Sequence, residues 1–433
     1  TYTNVEGENI SIENVANVKG EGEGQSLGMK VTGKKAEDGS TAPGSIRFQA
    51  TGDADITLFG EAASDATSIE AENTAITNHG KISDGSYKAR KALRVYHAKD
   101  GTISGGTFTG ADTTLTNQAD LSGAKVEGTK TLTVTNTASI QNATLTGGAA
   151  AVDNHGEDSV MKDVTLTGSA VTLANEGTIE NGSYTAETGA MTVKNNGKLS
   201  SGTYTAKGTM GITNQGTIEN GTYTASGDLT YTDTAGASLK DGTLISEEGK
   251  AQITAKGQLA LKKLSAKDSA TVEADHDVTL TEAEAGTLAI SSGGSVNAGT
   301  LTAASGDASV TAKKDVTIGT LKAEVGSAMI EATEGKLDVT TLNAKEHAEL
   351  TSGGDMVLTE AHANALTANA GGKLTATTLG VTGAAGLTSS GAMEVSEANV
   401  GSVAAKAGTT LHVKKLTSTG EATLTSKDEA KLD

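Results

Sequence analysis

The chain has 433 residues, with 55 Gly, one Pro, seven Tyr, three Phe and neither Cys nor Trp. Its 34 basic and 53 acidic residues give a net charge of −19, which argues against nucleic acid or anionic lipid as a partner. The lack of Cys excludes disulfides and thiolate metal sites, and no stretch reaches the roughly 18 apolar residues of a membrane span. We therefore expect any secretion or anchoring modules to lie outside this sequence.

Residues 1–77 are the least regular part of the chain. The alternating segments ISIENV, from Ile10, and SIRFQA, from Ser45, flank a polar run, GKKAEDGSTAPG, that begins at Gly33 and contains Pro43. Alternation of apolar and polar residues is typical of half-buried strands, whereas the polar run is not. We predict irregular N-terminal coils of a β-helix with one longer excursion.

From residue 78 onward an apolar residue recurs at steps of 18 to 21 residues. The series is Ile82, Ile103, Leu121, Ile140, Val160, Ile179, Leu199, Ile218, Leu239, Leu259, Val278, Val296, Val316, Leu337, Met356, Leu374, Met393 and Leu411. This interval is too short for common helical repeats or propeller blades and fits one coil of a β-solenoid.

Within each repeat the apolar residues alternate in three short groups. One repeat has Leu337 with Val339, Leu342 with Ala344, and Ala348 with Leu350. A period of two indicates strands, and the frequent Gly would destabilise helices. The predicted fold is all-β: a single-stranded parallel β-helix with three strands per coil, about 19 to 20 residues per coil and roughly 18 to 21 coils.

Residues 78–250 form the most regular segment. GTIENGSYTA at Gly177 returns as GKLSSGTYTA at Gly197 and as GTIENGTYTA at Gly216. Asn and Gly tolerate positive φ, so Asn181-Gly182 is predicted to form a corner. Equivalent corners are Asp84-Gly85, Gly105-Gly106, Ser201-Gly202, Asn220-Gly221 and Asp241-Gly242. Tyr184, Tyr204 and Tyr223 then occupy one inward column with Tyr87, Phe108, Leu145 and Leu166.

A second column in this segment consists of asparagines. It is formed by Asn117, Asn136, Asn154, Asn175, Asn195 and Asn214, with Asn78 before it and Asp233 after it. Amides stacked at the rise between coils can hydrogen-bond to one another and to the turn backbone. We interpret this column as a structural ladder; the alternative is a row of ligand-binding amides.

Hydroxyl side chains flank the inward column on the outer surface. The proposed binding face consists of Thr144, Thr146, Thr165, Thr167, Ser183, Thr185, Thr203, Thr205, Thr222 and Thr224. Thr107 and Thr109 precede this face, and Lys125 and Glu127 interrupt it. Thr is a favoured outward strand residue, so the array is explained by structure alone or by binding to ice, carbohydrate or a second copy of the chain.

Residues 251–433 continue the period with a different repeat style. The Asn column and the Asx-Gly corners end, and units such as LALKKLSAKDSATVEA, from Leu259, follow. We predict a continuing β-helix with other corners.

The repeats LTNQADLSGAKVEG (from Leu115), LANEGTIENGSYTA (from Leu173) and ITNQGTIENGTYTA (from Ile212) resemble those of filamentous-haemagglutinin-type exoproteins and autotransporter passenger regions. The resemblance covers residues 78–245 best. It implies a right-handed parallel β-helix of a bacterial, exported adhesin or stalk. We see neither a two-partner secretion module nor a translocator barrel in the sequence, so the export route stays open.

No constellation of catalytic, cofactor-binding or metal-binding residues emerges from the sequence, so we expect no enzyme, cofactor or metal. Glu180, Glu219 and Asp241 fall at corners, where solubility explains them. The seven His lack metal-site spacing and are expected mostly at exposed corners, although His79 and His97 lie nearly one coil apart and could stack.

The resulting hypothesis is a non-catalytic adhesin or stalk region at the bacterial surface or outside the cell. Its partners would be a host surface, a glycan or like molecules, with no nucleic acid and no membrane insertion. One alternative is ice or crystal-surface binding through the Thr-x-Thr face. A polysaccharide-acting enzyme is the other, and it requires a cleft with two or three carboxylates.

Overall fold

A computed structural model describes residues 4–7, 10–15, 27–31, 34–35, 41–42, 46–62 and 67–433. All regular structure in these residues is β-strand. The chain divides into two compact units, 1–212 and 213–433. Most of the predicted N-terminal excursion falls outside the described residues, but Lys34–Lys35 and Thr41–Ala42 within it pair antiparallel.

The first unit contains the short and medium strands of the irregular and Asn-rich segments. They are β1 Asn4–Gly7, β2 Ile10–Val15, β3 Leu27–Val31, β4 Lys34–Lys35, β5 Thr41–Ala42, β6 Ile46–Ala50, β7 Ala54–Ala62, β8 Ser68–Ala71, β9 Thr74–Asn78, β10 Lys81–Ile82, β11 Ser86–Ala89, β12 Ala92–His97, β13 Thr102–Ile103, β14 Thr107–Asn117, β15 Asp120–Ser122, β16 Lys125–Asn136, β17 Ser139–Gln141, β18 Thr144–Asn154, β19 Val160–Lys162, β20 Thr165–Asn175, β21 Thr178–Glu180, β22 Ser183–Ala186, β23 Met191–Asn195, β24 Lys198–Ser200 and β25 Thr203–Ala206.

The boundary between the units falls inside β26, Met210–Asn214. The second unit contains both short strands and longer strands that pass through corners without interruption. They are β27 Thr217–Glu219, β28 Thr222–Ala225, β29 Leu229–Asp233, β30 Ser238–Ser246, β31 Ala251–Ala255, β32 Gln258–Ala274, β33 Val278–Ser292, β34 Val296–Ala303, β35 Ala308–Ala312, β36 Val316–Ala323, β37 Ala328–Ala332, β38 Leu337–Ala344, β39 His347–Ser352, β40 Met356–Ala363, β41 Ala365–Ala370, β42 Leu374–Ser389, β43 Met393–Ala407, β44 Thr410–Ser418, β45 Ala422–Ser426 and β46 Glu429–Leu432.

Successive repeats pair in parallel, strand upon equivalent strand. In the first unit, β21 pairs with β24 so that Ile179 faces Leu199, and β22 pairs with β25 so that Tyr184 faces Tyr204. The third segment of the same coil, β23, pairs with the end of β20. The predicted fold class is confirmed: the chain is an all-β solenoid of stacked parallel coils, with about 20 turns.

Within each unit the predicted anchor residues are buried and pair from coil to coil, with one correction. Ile140 pairs with Met161, which in turn pairs with Ile179. Met161 is fully buried, whereas Val160 is half-buried and lies between Ser139 and Thr178. The prediction of Val160 was wrong because the corner after Asn154 is three residues longer than the corner after Asn136, which shifts the alternation by one position.

Aromatic rings stack in the inward column that follows the corners. The ring centroids of Tyr184 and Tyr204 are 4.8 Å apart with the planes 9° from parallel, and those of Tyr87 and Phe108 are 4.7 Å apart. In the second unit Tyr223 pairs with Leu244. The two centroid separations match the spacing of paired strands, so in each of these two pairs the rings pack face to face.

The corner before Tyr184 has the predicted backbone geometry. Asn181 has φ 55° and Gly182 has φ 90°, both in the left-handed region. A Cβ on Gly182 would lie 2.5 Å from the Val164 carbonyl oxygen and 3.1 Å from Tyr184 Oη. Glycine is therefore required there both by the turn and by the tyrosine ring that covers it.

The second unit replaces the asparagine column with small residues. After Asp233 the equivalent positions are Ala255, Ala274, Ser292, Ala312, Ala332, Ser352, Ala370, Ser389 and Ala407. The turns are closed instead by aspartates that accept a backbone N–H from the next coil: Asp277 from Ser295 at 2.7 Å, and Asp355 from Lys373 at 2.9 Å. In each case the accepted N–H follows a glycine, Gly294 or Gly372, whose missing Cβ leaves room for the carboxylate.

Candidate binding faces and the asparagine ladder

The predicted asparagine column is a hydrogen-bonded ladder in the first unit. Each Nδ2 donates to the Oδ1 of the asparagine in the next coil, at 2.7 to 2.8 Å, from Asn117 through Asn136, Asn154 and Asn175 to Asn195. All five side chains are buried. The chain of amides therefore has one direction, with every donor pointing toward the later coil.

The same amides also close the turns. Asn136 Nδ2 donates to the carbonyl of Ala138, two residues later, at 3.1 Å, and to that of Val160 in the following coil at 3.0 Å. Asn175 repeats this pattern with Gly177 and Lys198, at 3.0 and 3.1 Å. The donors of these buried amides are therefore satisfied by groups within the coils, which accords with the structural interpretation of the column.

His97 belongs to the ladder, which the sequence analysis missed. It pairs with Asn78 on one side and Asn117 on the other, and its side chain is buried. His97 Nδ1 lies 2.7 Å from Asn117 Oδ1. Because Asn117 uses its Nδ2 for donation, its oxygen accepts here and the imidazole donates from Nδ1. The Nε2 atom is buried and has no hydrogen-bond partner among the described residues.

Burial is the main cause of a lowered pKa at His97, and the hydrogen bond to Asn117 offsets it in part. The neutral ring is therefore the form that fits the ladder. The expectation of a stack with His79 was wrong, because the register aligns His97 with Asn78. His79 packs on Phe59 at 5.5 Å between ring centroids and bonds Asp100 at 2.7 Å, which holds the pKa of the Asp100 carboxyl below its usual range.

The end of the predicted column lies in the second unit. Asn214 Nδ2 donates to Tyr231 Oη at 3.1 Å, and Tyr231 Oη donates to Asp233 Oδ2 at 3.1 Å. Asp233 is buried and accepts the backbone N–H groups of Lys256 and Gly257 at 2.5 and 3.1 Å. The carboxylate of Asp233 thus occupies the last position of the column, where it accepts hydrogen bonds from two backbone N–H groups.

The predicted Thr face lies outward on the strands that follow the corners. In the first unit Thr144, Thr165, Ser183 and Thr203 form one exposed row, in register from coil to coil. The neighbouring row is half-buried and consists of Thr146, Thr167, Thr185 and Thr205. In the second unit, Thr222 and Thr224 are half-buried. Lys125 and Glu127 pair at 3.8 Å where they interrupt the array.

The structure reveals another exposed row that the sequence analysis did not single out. On the strands that lead to the ladder, Thr114, Thr133, Thr172 and Thr192 lie outward in register, with Ala151 between the second and third. The signal was present in the alternating segments TTLTN, TLTVTN, VTLAN and MTVKN. Two sides of these coils therefore carry Thr.

Two of the grooves on the surface of the second unit contain histidine beside charged residues. A groove of about 1020 Å³ is lined by residues that include Glu219, Lys240, Lys256, His276 and Asp277. A second groove, of about 790 Å³, is lined in part by Lys322, Asn343, His362 and Glu346. In it the His362 ring lies over Gly380, and its Nε2 lies 2.8 Å from Glu360 Oε1. Both grooves combine charges of both signs.

Ion pairs between neighbouring coils cross the outer surface of the second unit. Lys263 and Glu282 approach to 3.1 Å, and Lys415 and Glu397 to 2.6 Å. Lys373 and Lys414 both bond Glu394, which lowers the pKa of that carboxyl. Among the described residues, no three His, Asp or Glu side chains are grouped so that they could hold a metal ion. The same residues contain no helix long and apolar enough to cross a membrane.

Comparison with known proteins adds no family to this geometry. No family model matches the chain, and neither a curated protein nor a solved structure matches it.

Proposed function

We propose that this chain is a non-catalytic adhesin or stalk region, exposed on a bacterial surface or secreted. The observation that carries the proposal is the register of the outward side chains, which presents the same groups on successive coils. A ligand that contacts one coil weakly meets an equivalent contact on the next coil. Affinity would then come from many weak contacts acting together, without a deep pocket.

The proposed partners are a host cell surface, a glycan or like molecules. Rows of hydroxyls such as Thr165, Ser183 and Thr203 offer donors and acceptors at the spacing of paired strands, which suits a polar, repetitive ligand. The acidic net charge of −19 opposes nucleic acid and anionic lipid as partners. The resemblance of the Asn-rich repeats to filamentous-haemagglutinin and autotransporter repeats supports the bacterial surface setting.

The test is binding of the purified chain to host cells and to a glycan array, using two matched triple variants. Thr165→Lys, Ser183→Lys and Thr203→Lys place three charges on the proposed face. Thr133→Lys, Thr172→Lys and Thr192→Lys place the same charges on the other Thr row. We expect the first variant to lose roughly tenfold or more in avidity and the second to bind like the parent chain. Equal loss in both, or no binding by the parent chain, would contradict adhesion through this face.

Binding to ice or another crystal surface is the second candidate. It is favoured by the double row of Thr144, Thr165 and Thr203 beside Thr146, Thr167 and Thr205, which repeats in two directions. Thermal hysteresis of the parent chain decides it. Substitution of Thr203, Thr205, Thr222 and Thr224 by Lys should abolish that hysteresis, and a parent chain with no hysteresis removes the candidate.

A further inference from the structure

Three asparagines outside the ladder lie at equivalent corners of different coils and have the same sequence context. Asn142, Asn181 and Asn220 begin Asn-Ala-Thr, Asn-Gly-Ser and Asn-Gly-Thr, and consecutive members are 39 residues apart. Asn-x-Ser/Thr is the acceptor sequence for N-linked glycosylation when the middle residue is not Pro. The chain contains one more such sequence, at Asn9, which lies outside the described residues.

The corner presents these asparagines to solvent. All three are exposed, with φ of 50°, 55° and 55° for Asn142, Asn181 and Asn220. The Ser or Thr two residues later begins the next strand in each case: Thr144, Ser183 and Thr222. By contrast, the buried ladder asparagines Asn117, Asn136, Asn154, Asn175, Asn195 and Asn214 have no Ser or Thr at that position.

The acceptor sequences alternate with corners that lack asparagine and so cannot carry an N-linked sugar. Between Asn142 and Asn181 the same corner holds Asp163, with φ 52°, followed by Thr165. Ser201 and Asp241 hold the corners that follow Asn181 and Asn220 along the chain, again with positive φ. Two coils separate Asn142 from Asn181, so their side chains leave the surface about 10 Å apart, which gives each attached sugar its own space.

We propose that Asn142, Asn181 and Asn220 are modified by N-linked sugars. A glycosyltransferase supplies the sugar from a diphosphate-activated donor. A bond forms between Asn Nδ2 and the anomeric carbon of the sugar, and the bond from that carbon to the donor phosphate oxygen breaks. The nitrogen gives one proton to a base of the transferase, and the diphosphate leaves with the bonding electron pair.

The fold tolerates this product. Asn181 Nδ2 donates to Asp163 Oδ1 at 3.1 Å, and a glycosylated amide keeps one hydrogen with which to make that bond. The modified atom lies at the tip of an exposed side chain, so neither the positive φ nor the inward column changes. The acceptor sequences share Thr144, Ser183 and Thr222 with the proposed binding face, so the variant Ser183→Lys also removes the acceptor sequence of Asn181. Attachment of sugar to the three asparagines does not require that this face bind a ligand.

The deciding experiment is mass spectrometry of intact glycopeptides from the protein isolated from the organism that makes it. We expect sugar masses on the peptides that contain Asn142, Asn181 and Asn220 and none on peptides of the ladder asparagines. The mass of the attached sugar must be measured directly. Asn-Gly pairs deamidate spontaneously to Asp, so conversion of Asn to Asp alone is not evidence of a sugar. A site without sugar overturns its own assignment, and three bare sites overturn the proposal, as does sugar confined to Ser, Thr or other Asn.

Matched variants in the same organism separate the acceptor role from the turn role. Asn142→Asp, Asn181→Asp and Asn220→Asp keep a residue type that this corner already accepts at Asp163 and Asp241. We expect the triple variant to lose the three sugars and to keep its strand content by circular dichroism. Ser201→Asn creates Asn-Gly-Thr at the next corner, and we expect a fourth sugar there. Sugar retained in the triple variant would overturn the assignment, as would a Ser201→Asn variant that gains no fourth sugar while its neighbouring corners are modified.

Discussion

His97 Nδ1 lies 2.7 Å from Asn117 Oδ1, so an imidazole stands in the asparagine ladder at the place of an amide. The bond keeps the direction of the ladder, because the donor belongs to the earlier coil and the acceptor to the later one. Neutral imidazole can do this through one nitrogen only. Its other nitrogen, Nε2, is left buried with no partner in the part of the chain that the structure describes.

His97→Asn should remove a pH-dependent part of the stability. Burial lowers the pKa of His97 in the folded chain, whereas the unfolded residue has a pKa near 6.5. Below that value the unfolded state binds more protons, so stability falls as the pH falls from about 6.5 toward the folded pKa, by at most about 1.4 kcal/mol per pH unit. The midpoints of urea unfolding at pH 7.5 and pH 5, for the parent chain and the variant, measure this loss of stability. We expect a smaller difference between the two midpoints for the variant, and equal differences would contradict the role of His97.

Asn136→Ala should destabilise the coils around it. The substitution removes the three bonds that Asn136 donates, to Ala138, Asn154 and Val160, and leaves Asn154 Oδ1 without its donor. It also removes one of the acceptors of Asn117 Nδ2. Buried groups left without partners cost about 1–3 kcal/mol each, so we expect a loss of roughly 2–5 kcal/mol. Thr135→Ala, on the outward side of the same strand, is the control, and we expect a change within about 0.5 kcal/mol. Denaturant unfolding measures both; equal effects would argue against the ladder as a stabilising element.

Gly182→Ala should destabilise the fold, whereas Gly211→Ala should be well tolerated. Gly182 has φ 90°, and an added Cβ would lie 2.5 Å from the Val164 carbonyl oxygen. We expect a loss of about 2 kcal/mol or more from backbone strain and this contact. A Cβ on Gly211 would meet no atom within 4 Å. Because Ala lowers the conformational entropy of the unfolded chain, the variant should be more stable by a few tenths of a kcal/mol, up to about 1 kcal/mol. Melting temperatures that fall equally in both variants would contradict the corner geometry.

Tyr184→Phe and Tyr231→Phe should differ in sign or size. Burial raises the pKa of both tyrosines, but only Tyr231 Oη is shown bonded, to Asn214 and Asp233. Tyr184 Oη is buried without a hydrogen-bond partner among the described residues. Removal of its hydroxyl should be neutral or stabilising by up to about 1 kcal/mol, whereas removal of the Tyr231 hydroxyl should cost about 1–3 kcal/mol. Denaturant unfolding checks both, and a larger loss of stability for Tyr184→Phe than for Tyr231→Phe would contradict this difference between the two hydroxyls.

Much of the fold could be predicted from the sequence, because a solenoid repeats one local pattern. Ile179, Leu199 and Leu259 identify the coil length and the inward positions without any knowledge of long-range contacts, since neighbouring coils are neighbouring repeats. Asn181 and Gly182 likewise predict a corner from their own tolerance of positive φ. The outward Thr rows follow from alternation, but whether they bind anything does not follow from their position.

Other features depended on which atoms meet between coils. Met161 displaces Val160 from the core because the preceding corner is longer, and both residues are apolar enough for either register. His97 joins the ladder because its register falls between Asn78 and Asn117, although histidine is not the residue that the column predicts. Asp355 closes the turn at Lys373, and the glycine that makes room for it lies in the other coil.

The sequence by itself determined the period, the strand alternation and the identity of the corner residues, because these are properties of residues close together along the chain. Only the tertiary structure decided the register between coils, the direction of the amide ladder and the partners of His97, Tyr231 and Asp233. Those features depend on hydrogen bonds between residues about twenty positions apart, whose geometry is set by coil stacking and corner length. A slip of one residue in the pairing of a strand would turn all of its side chains to the other face.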